Sequence, residues 1–139
     1  MSRRDLIHDS VRTALENDGW TITDDPLYIP IEGIDSEYEI DLAAERFIVA
    51  EKSSERIAVE VKSFAARSVL NSFHTALGQY LDYQAAMRKI GEDRILYLAV
   101  GEEKFEKLSN IPLLLEQIET FGLNLLIIDI GNQIIKQWA

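Results

Sequence analysis

The sequence predicts a single α/β domain, a sandwich of helices around a mixed sheet. Three observations carry that expectation. A helical pattern opens the chain, short runs with period-two alternation follow it, and a long helical pattern then leads into a nearly continuous apolar run. Apolar runs of that last kind belong to strands covered on both faces, as in parallel pairing. With 139 residues, 47% of them hydrophobic, the chain is long enough to bury a core and has the length of one domain, 1–139.

The first element is a helix to about residue 17. Ser2 and Asp5 resemble a capping box, with Asp in place of the usual Glu or Gln. Leu6, Val11, Ala14 and Leu15 form its apolar stripe, and His8, Arg12 and Glu16 recur at four-residue spacing on a more polar side. Gly19 ends it. Residues 20–23 start the first strand, and Asp24-Asp25-Pro26 reads as a turn. Residues 28–33 are extended and interrupted by Pro30, which suits an edge or a loop.

Strands follow near 38–44, 46–51 and 56–64, with Lys52-Ser53-Ser54-Glu55 as the turn between the last two. In the first, Tyr38, Ile40 and Leu42 form the apolar face. In the last, Ile57, Val59 and Val61 point one way, and Glu60 and Lys62 the other. A meander of these strands brings Asp41 beside Glu60.

Ser68 begins the longest helix, to about residue 90, with Gly91 as its stop. Leu70, Phe73, Leu77, Tyr80 and Met87 suit its core face. Residues 94–100 form the covered strand, followed by a helical turn near 102–108 and a helix near 112–121. The final run reads as two strands around a two-residue turn at Gly131-Asn132. Trp138 on the last strand suits packing or a partner contact.

Composition narrows the chemistry. There are no cysteines, which excludes disulfides, thiolate zinc sites and a Cys nucleophile. Two histidines, His8 and His74, make a His-built zinc site improbable, so any metal is oxygen-ligated: magnesium, manganese or calcium. The net charge of −10 opposes tight, autonomous DNA binding, because cationic contacts to phosphate normally dominate such affinity. No apolar run approaches the roughly 18 residues of a membrane span, and acids stand where a signal peptide has its apolar region, so a cytoplasmic protein is expected.

The order of helix, meander carrying D…E-x-K, helix and strand resembles the PD-(D/E)xK nuclease superfamily. More narrowly, E-I-D-L-A-A-E-R (39–46), A-V-E-V-K-S-F (58–64) and F-H-T-A-L-G-Q-Y (73–80) resemble the XisH-type fdxN-element excision controlling factors. So do L-I-H-D-S-V-R and D-G-W-T-I-T-D-D-P-L near the N-terminus, and the resemblance covers essentially the whole chain. It implies a restriction endonuclease-like α/β/α sandwich and a role in controlling a programmed DNA excision together with a small companion protein.

Residue by residue, the resemblance implies a catalytic set of Asp41, Glu60 and Lys62, with Ile40 where the superfamily's name-giving proline would stand. The implied metal set is Asp41, Glu60 and Val61, holding Mg2+ or Mn2+. Gln79 and Tyr83, spaced Q-x-x-x-Y, resemble an accessory motif. His8 occupies roughly the position where some branches place an extra Glu ligand. Taken alone, E-V-K marks a surface strand more often than a site.

Two function classes follow. One is a magnesium-dependent endonuclease of a rearrangement system, favoured by Asp41, Glu60 and Lys62. The other is a regulatory or assembly factor that keeps the fold, favoured by the charge. A junction-resolving nuclease is a weaker third. DNA, a companion protein and a homodimer or hetero-complex are the expected partners.

Overall fold

The computed structural model describes residues 3–64 and 68–139, with side chains of the first helix from residue 6 onward. Its elements run α1 (Arg3–Asn17), β1 (Thr21–Asp24), β2 (Leu27–Pro30), β3 (Glu37–Ile40), β4 (Leu42–Ile48), β5 (Ser53–Lys62), α2 (Val69–Lys89), β6 (Ile95–Gly101), α3 (Glu102–Ser109), α4 (Pro112–Thr120), β7 (Leu125–Asp129) and β8 (Ile134–Trp138). Ser2 and the Asp5 side chain, and with them the expected capping box, lie outside the described residues. Among the described residues no helix is long and apolar enough to cross a membrane.

Six strands form one mixed sheet in the order β1-β4-β5-β6-β7-β8, and β2 pairs with β3 as a separate two-stranded sheet. The β5–β6 and β6–β7 pairs are parallel, each joined through helices, as parallel pairing demands. The remaining pairs are antiparallel.

The sheet carries a core on each face. On one, Phe73, Tyr80 and Met87 of α2, Leu108 of α3 and Leu114 of α4 pack over Ala58, Leu98 and Ile127, joined by Leu27, Ile29 and Ile40 from the small sheet. On the other, Val11, Ala14 and Leu15 of α1 and the buried Trp20 pack over Leu42, Val59, Ala99 and Leu126. Each of the larger aliphatic and aromatic side chains buried there contributes roughly 1.5–3 kcal/mol against the cost of ordering the chain.

Several expectations need correction. The run 38–44 is not one strand with one apolar face. It bends at Asp41, where the chain leaves the small sheet for the large one, so Ile40 enters the α2-side core and Leu42 the α1-side core. Tyr38 stays 36% exposed. Of the run 46–51 only 46–48 is strand, the end of β4, and the turn falls at 49–52 with Lys52 in the left-handed region (φ 52°), so β5 already begins at Ser53. Residues 27–30 bear out the edge strand expected for 28–33, with Pro30 at its end, where a missing donor costs the ladder least.

In α1, Leu6 is 55% exposed and Ile7 takes its place against the core. Leu70 at the start of α2 is likewise exposed. The C-terminal turn spans 130–133 rather than two residues, because the Asp129 carboxylate accepts from both the main-chain and side-chain N–H of Asn132 (3.2 and 2.9 Å) and rounds the loop. Gly19 and Gly91 end their helices as expected, at φ +91° and +73°.

Candidate active site

The alternation of β5 sorts its side chains. Ile57 and Val59 enter the α1-side core with Val61 packed against it, while Ala58 joins the α2-side core. Glu60 therefore emerges on the α2 side, 5% exposed and a rare buried charged group among the described residues. Leu42 registers with Val59, which sets Asp41, one residue earlier on the antiparallel partner, beside Glu60.

The two carboxylates are held reciprocally. The Asp41 main-chain N–H donates to Glu60 Oε1 at 3.2 Å, and the Val61 N–H donates to Asp41 Oδ2 at 2.8 Å. Lys62 Nζ lies 3.4 Å from Glu60 Oε2 and donates to Gln79 Oε1 on α2. The Tyr83 hydroxyl, one turn further along α2, donates to Glu60 Oε2 at 3.5 Å. Its ring packs on Tyr38 with centroids 5.2 Å apart.

Burial first, and then the charge of Asp41, push the Glu60 carboxyl up to about 7, against the pull of Lys62. Burial and the charge of Glu60 likewise raise the Tyr83 phenol, which stays protonated and able to donate. A carboxyl in this state is poised to ionise near neutrality when a cation arrives.

Asp41, Glu60, Lys62, Gln79 and Tyr83 thus come together, and Val61 joins them through its main-chain N–H. His8 does not. Its Nε2 lies 2.9 Å from Asp25 Oδ1, while Arg12 Nη1 lies 2.6 Å from Asp25 Oδ2, so both tie α1 to the turn before β2. The wall that α1 contributes to the site is Ile7.

The cleft over these groups has a volume of about 500 Å3, and Glu39 lies on its rim. Tyr38 was not legible as part of the site, since nothing in its own strand points to α2. Ser72 and Thr75 were missed too, although they continue the spacing of Gln79 and Tyr83 backwards along α2.

The donor set fits a hard divalent cation held by few protein ligands. It is all oxygen, and one of its two close carboxyls is raised, by burial first and then by the charge of the other. Magnesium binds through one or two carboxylates and keeps several waters. Among the described residues no group of three or more His, Cys, Asp or Glu gathers as a fuller cage.

No functionally curated protein matches the chain. Two solved structures are similar to it. One is an XisH family protein from Nostoc punctiforme PCC 73102, with 41% identity and a TM-score of 0.85 over 96% of this chain and 98% of that one. The other is an fdxN element excision controlling factor protein from Anabaena variabilis, with 41% identity and a TM-score of 0.85 over 97% and 98%. The family model described as XisH protein matches residues 1–136. With whole-length agreement in sequence and fold, the chain belongs to the XisH protein family.

Proposed function

We propose that this chain is a cytoplasmic controlling factor for excision of a DNA element, built on a restriction endonuclease-like fold, and that Asp41, Glu60 and Lys62 form a magnesium-dependent phosphodiester-cleaving site. The observation that carries the reading is the reciprocal pairing of Asp41 and Glu60 beside Lys62 under an open cleft. Asp41 and Glu60 would hold Mg2+ or Mn2+. Bound there, such an ion would supply Lewis-acid polarisation of a phosphoryl oxygen and activation of water.

The chain's own groups do the rest. Val61 and Asp41 use main-chain N–H groups to fix both carboxylates before any ligand enters, so little reorganisation remains. Glu60 gives up its proton near neutrality and gains the charge a cation needs. Lys62 supplies a compact positive charge that orients the attacking water and offsets charge on the scissile phosphate. Gln79 holds that ammonium in place from α2.

A second reading rests on a different observation. Lys62 is engaged by Glu60 and Gln79, and the body carries −10, so the chain can serve as a regulatory or assembly subunit that meets DNA only through a companion protein. Cleavage of supercoiled and branched DNA, with and without magnesium and the companion, separates the two. Metal-dependent cleavage lost in Glu60→Ala and Lys62→Ala supports the first. Inactivity across metals and substrates with the companion present supports the second.

A further inference from the structure

The cleft is asymmetric in a way the catalytic set does not use. Its strand side carries the charges, Glu39, Glu60 and Lys62, and among the described lining residues Lys62 is the one cation. Its helix side is neutral: Ser72, Thr75 and Gln79 follow at three- and four-residue spacing along one face of α2. Gln79 is engaged by Lys62, but no described residue hydrogen-bonds the side chain of Ser72 or Thr75, so their hydroxyls are open donors toward the cleft. The neighbouring cleft, which shares Ile7, Lys62 and Ser63 with this one, runs instead past Glu102, Glu103 and Asp129, with Lys104 as its second cation.

An anionic ligand leaving Lys62 therefore meets three carboxylates against one lysine toward α3, and neutral donors along α2 with Glu39 across the cleft. Hydroxyl and amide groups are ordinary contacts to phosphate and sugar oxygens and carry no sequence information. They also suit a chain of net charge −10, since they hold phosphate without drawing on cations outnumbered by acids.

We propose that the Ser72–Thr75 face of α2 is a binding wall for the phosphodiester backbone of a nucleic-acid strand, which passes over the first turns of α2 and away from the acidic α3 side. The inference deepens the cleavage reading and rests on it for the position of the scissile phosphate at Lys62. Ser72 and Thr75 contact phosphates next to that one and fix the strand's direction through the site.

The test is fluorescence anisotropy with a labelled single-stranded oligonucleotide and its duplex, in buffer with and without calcium, so that no cleavage is needed. Thr75 and Thr120 are both exposed, and Thr120 lies on α4 outside the cleft, so Thr75→Lys and Thr120→Lys change the net charge equally. The expected result is that Thr75→Lys tightens binding several-fold and adds about 0.7 to the log–log salt slope on a single strand, or about 0.9 on a duplex. Thr75→Glu weakens it several-fold, and neither Thr120→Lys nor Thr120→Glu moves it. The arm that responds identifies whether the strand is unpaired or part of a duplex.

Equal effects at Thr75 and Thr120, or no binding by any variant, overturn the proposal. Cleavage that persists with binding indifferent to Thr75 removes this wall and leaves the catalytic reading standing. Binding that responds to Thr75 without any cleavage keeps the wall and removes that reading.

Discussion

Asp41 donates its main-chain N–H to Glu60 Oε1, so the bend where the chain passes from the small sheet to the large one is pinned by a buried carboxylate. Fold and candidate site therefore share an atom. A change at Glu60 acts on the β3–β4 bend as well as on chemistry, and stability and activity need to be measured side by side.

The raised Glu60 carboxyl makes metal-free stability depend on pH. Its ordinary value is 4.5 and its folded value about 7, so the folded state holds the proton more tightly. That contribution is complete below 4.5 and is lost as pH rises through about 7, a loss of at most about 3 kcal/mol. Urea unfolding of wild type against Glu60→Gln between pH 4.5 and 8 checks it. The wild type is expected to lose stability relative to the variant as pH rises, and parallel curves would disprove the shift.

Tyr83 tests the weaker contacts. Its hydroxyl sits 3.5 Å from Glu60, at the limit of a hydrogen bond. Tyr83→Phe is expected to cost less than about 1 kcal/mol. Tyr83→Ala also removes a buried ring packed on Tyr38 and is expected to cost roughly 3–5 kcal/mol. Denaturant midpoints of the two variants give the comparison.

How far the site was legible follows from where each residue's direction is decided. Glu60 and Lys62 lie within one regular strand, where period-two alternation alone fixes their face. Ile40 and Leu42 do not, because the rule assumes one strand and the chain changes sheets between them. His8 was unreadable for another reason: its partner Asp25 lies 17 residues away, and only tertiary packing of α1 against the turn decides that the ring faces it. The doubly covered strand β6 was legible from its nearly unbroken apolar run. The outward turn of Leu6 and Leu70 was not, since end residues of a helix extend past the face they seem to continue.

His8→Ala is accordingly expected to leave metal binding and any cleavage unchanged. It removes a partly exposed link between α1 and Asp25, which Arg12 still holds, at a cost under about 1 kcal/mol. A large fall in metal affinity, read by calorimetry, would return His8 to the site.

Trp138 belongs to the fold. Its ring, 36% exposed, lies 5.6 Å from the buried Trp20 and 5.0 Å from Tyr97. Trp138→Ala is expected to lower stability by roughly 1–2 kcal/mol without altering metal affinity. An unchanged melting temperature would mean that the indole serves a partner instead.

The most direct test of the central claim is a calorimetric titration of Mg2+ or Mn2+ into wild type and Asp41→Asn. The amide keeps an oxygen for the Val61 N–H and removes the charge together with one acceptor oxygen. Weak binding by the wild type that disappears in Asp41→Asn, with folding intact by circular dichroism, is the expected result. Equal binding by the two proteins, or none by the wild type, would contradict a metal site at Asp41 and Glu60.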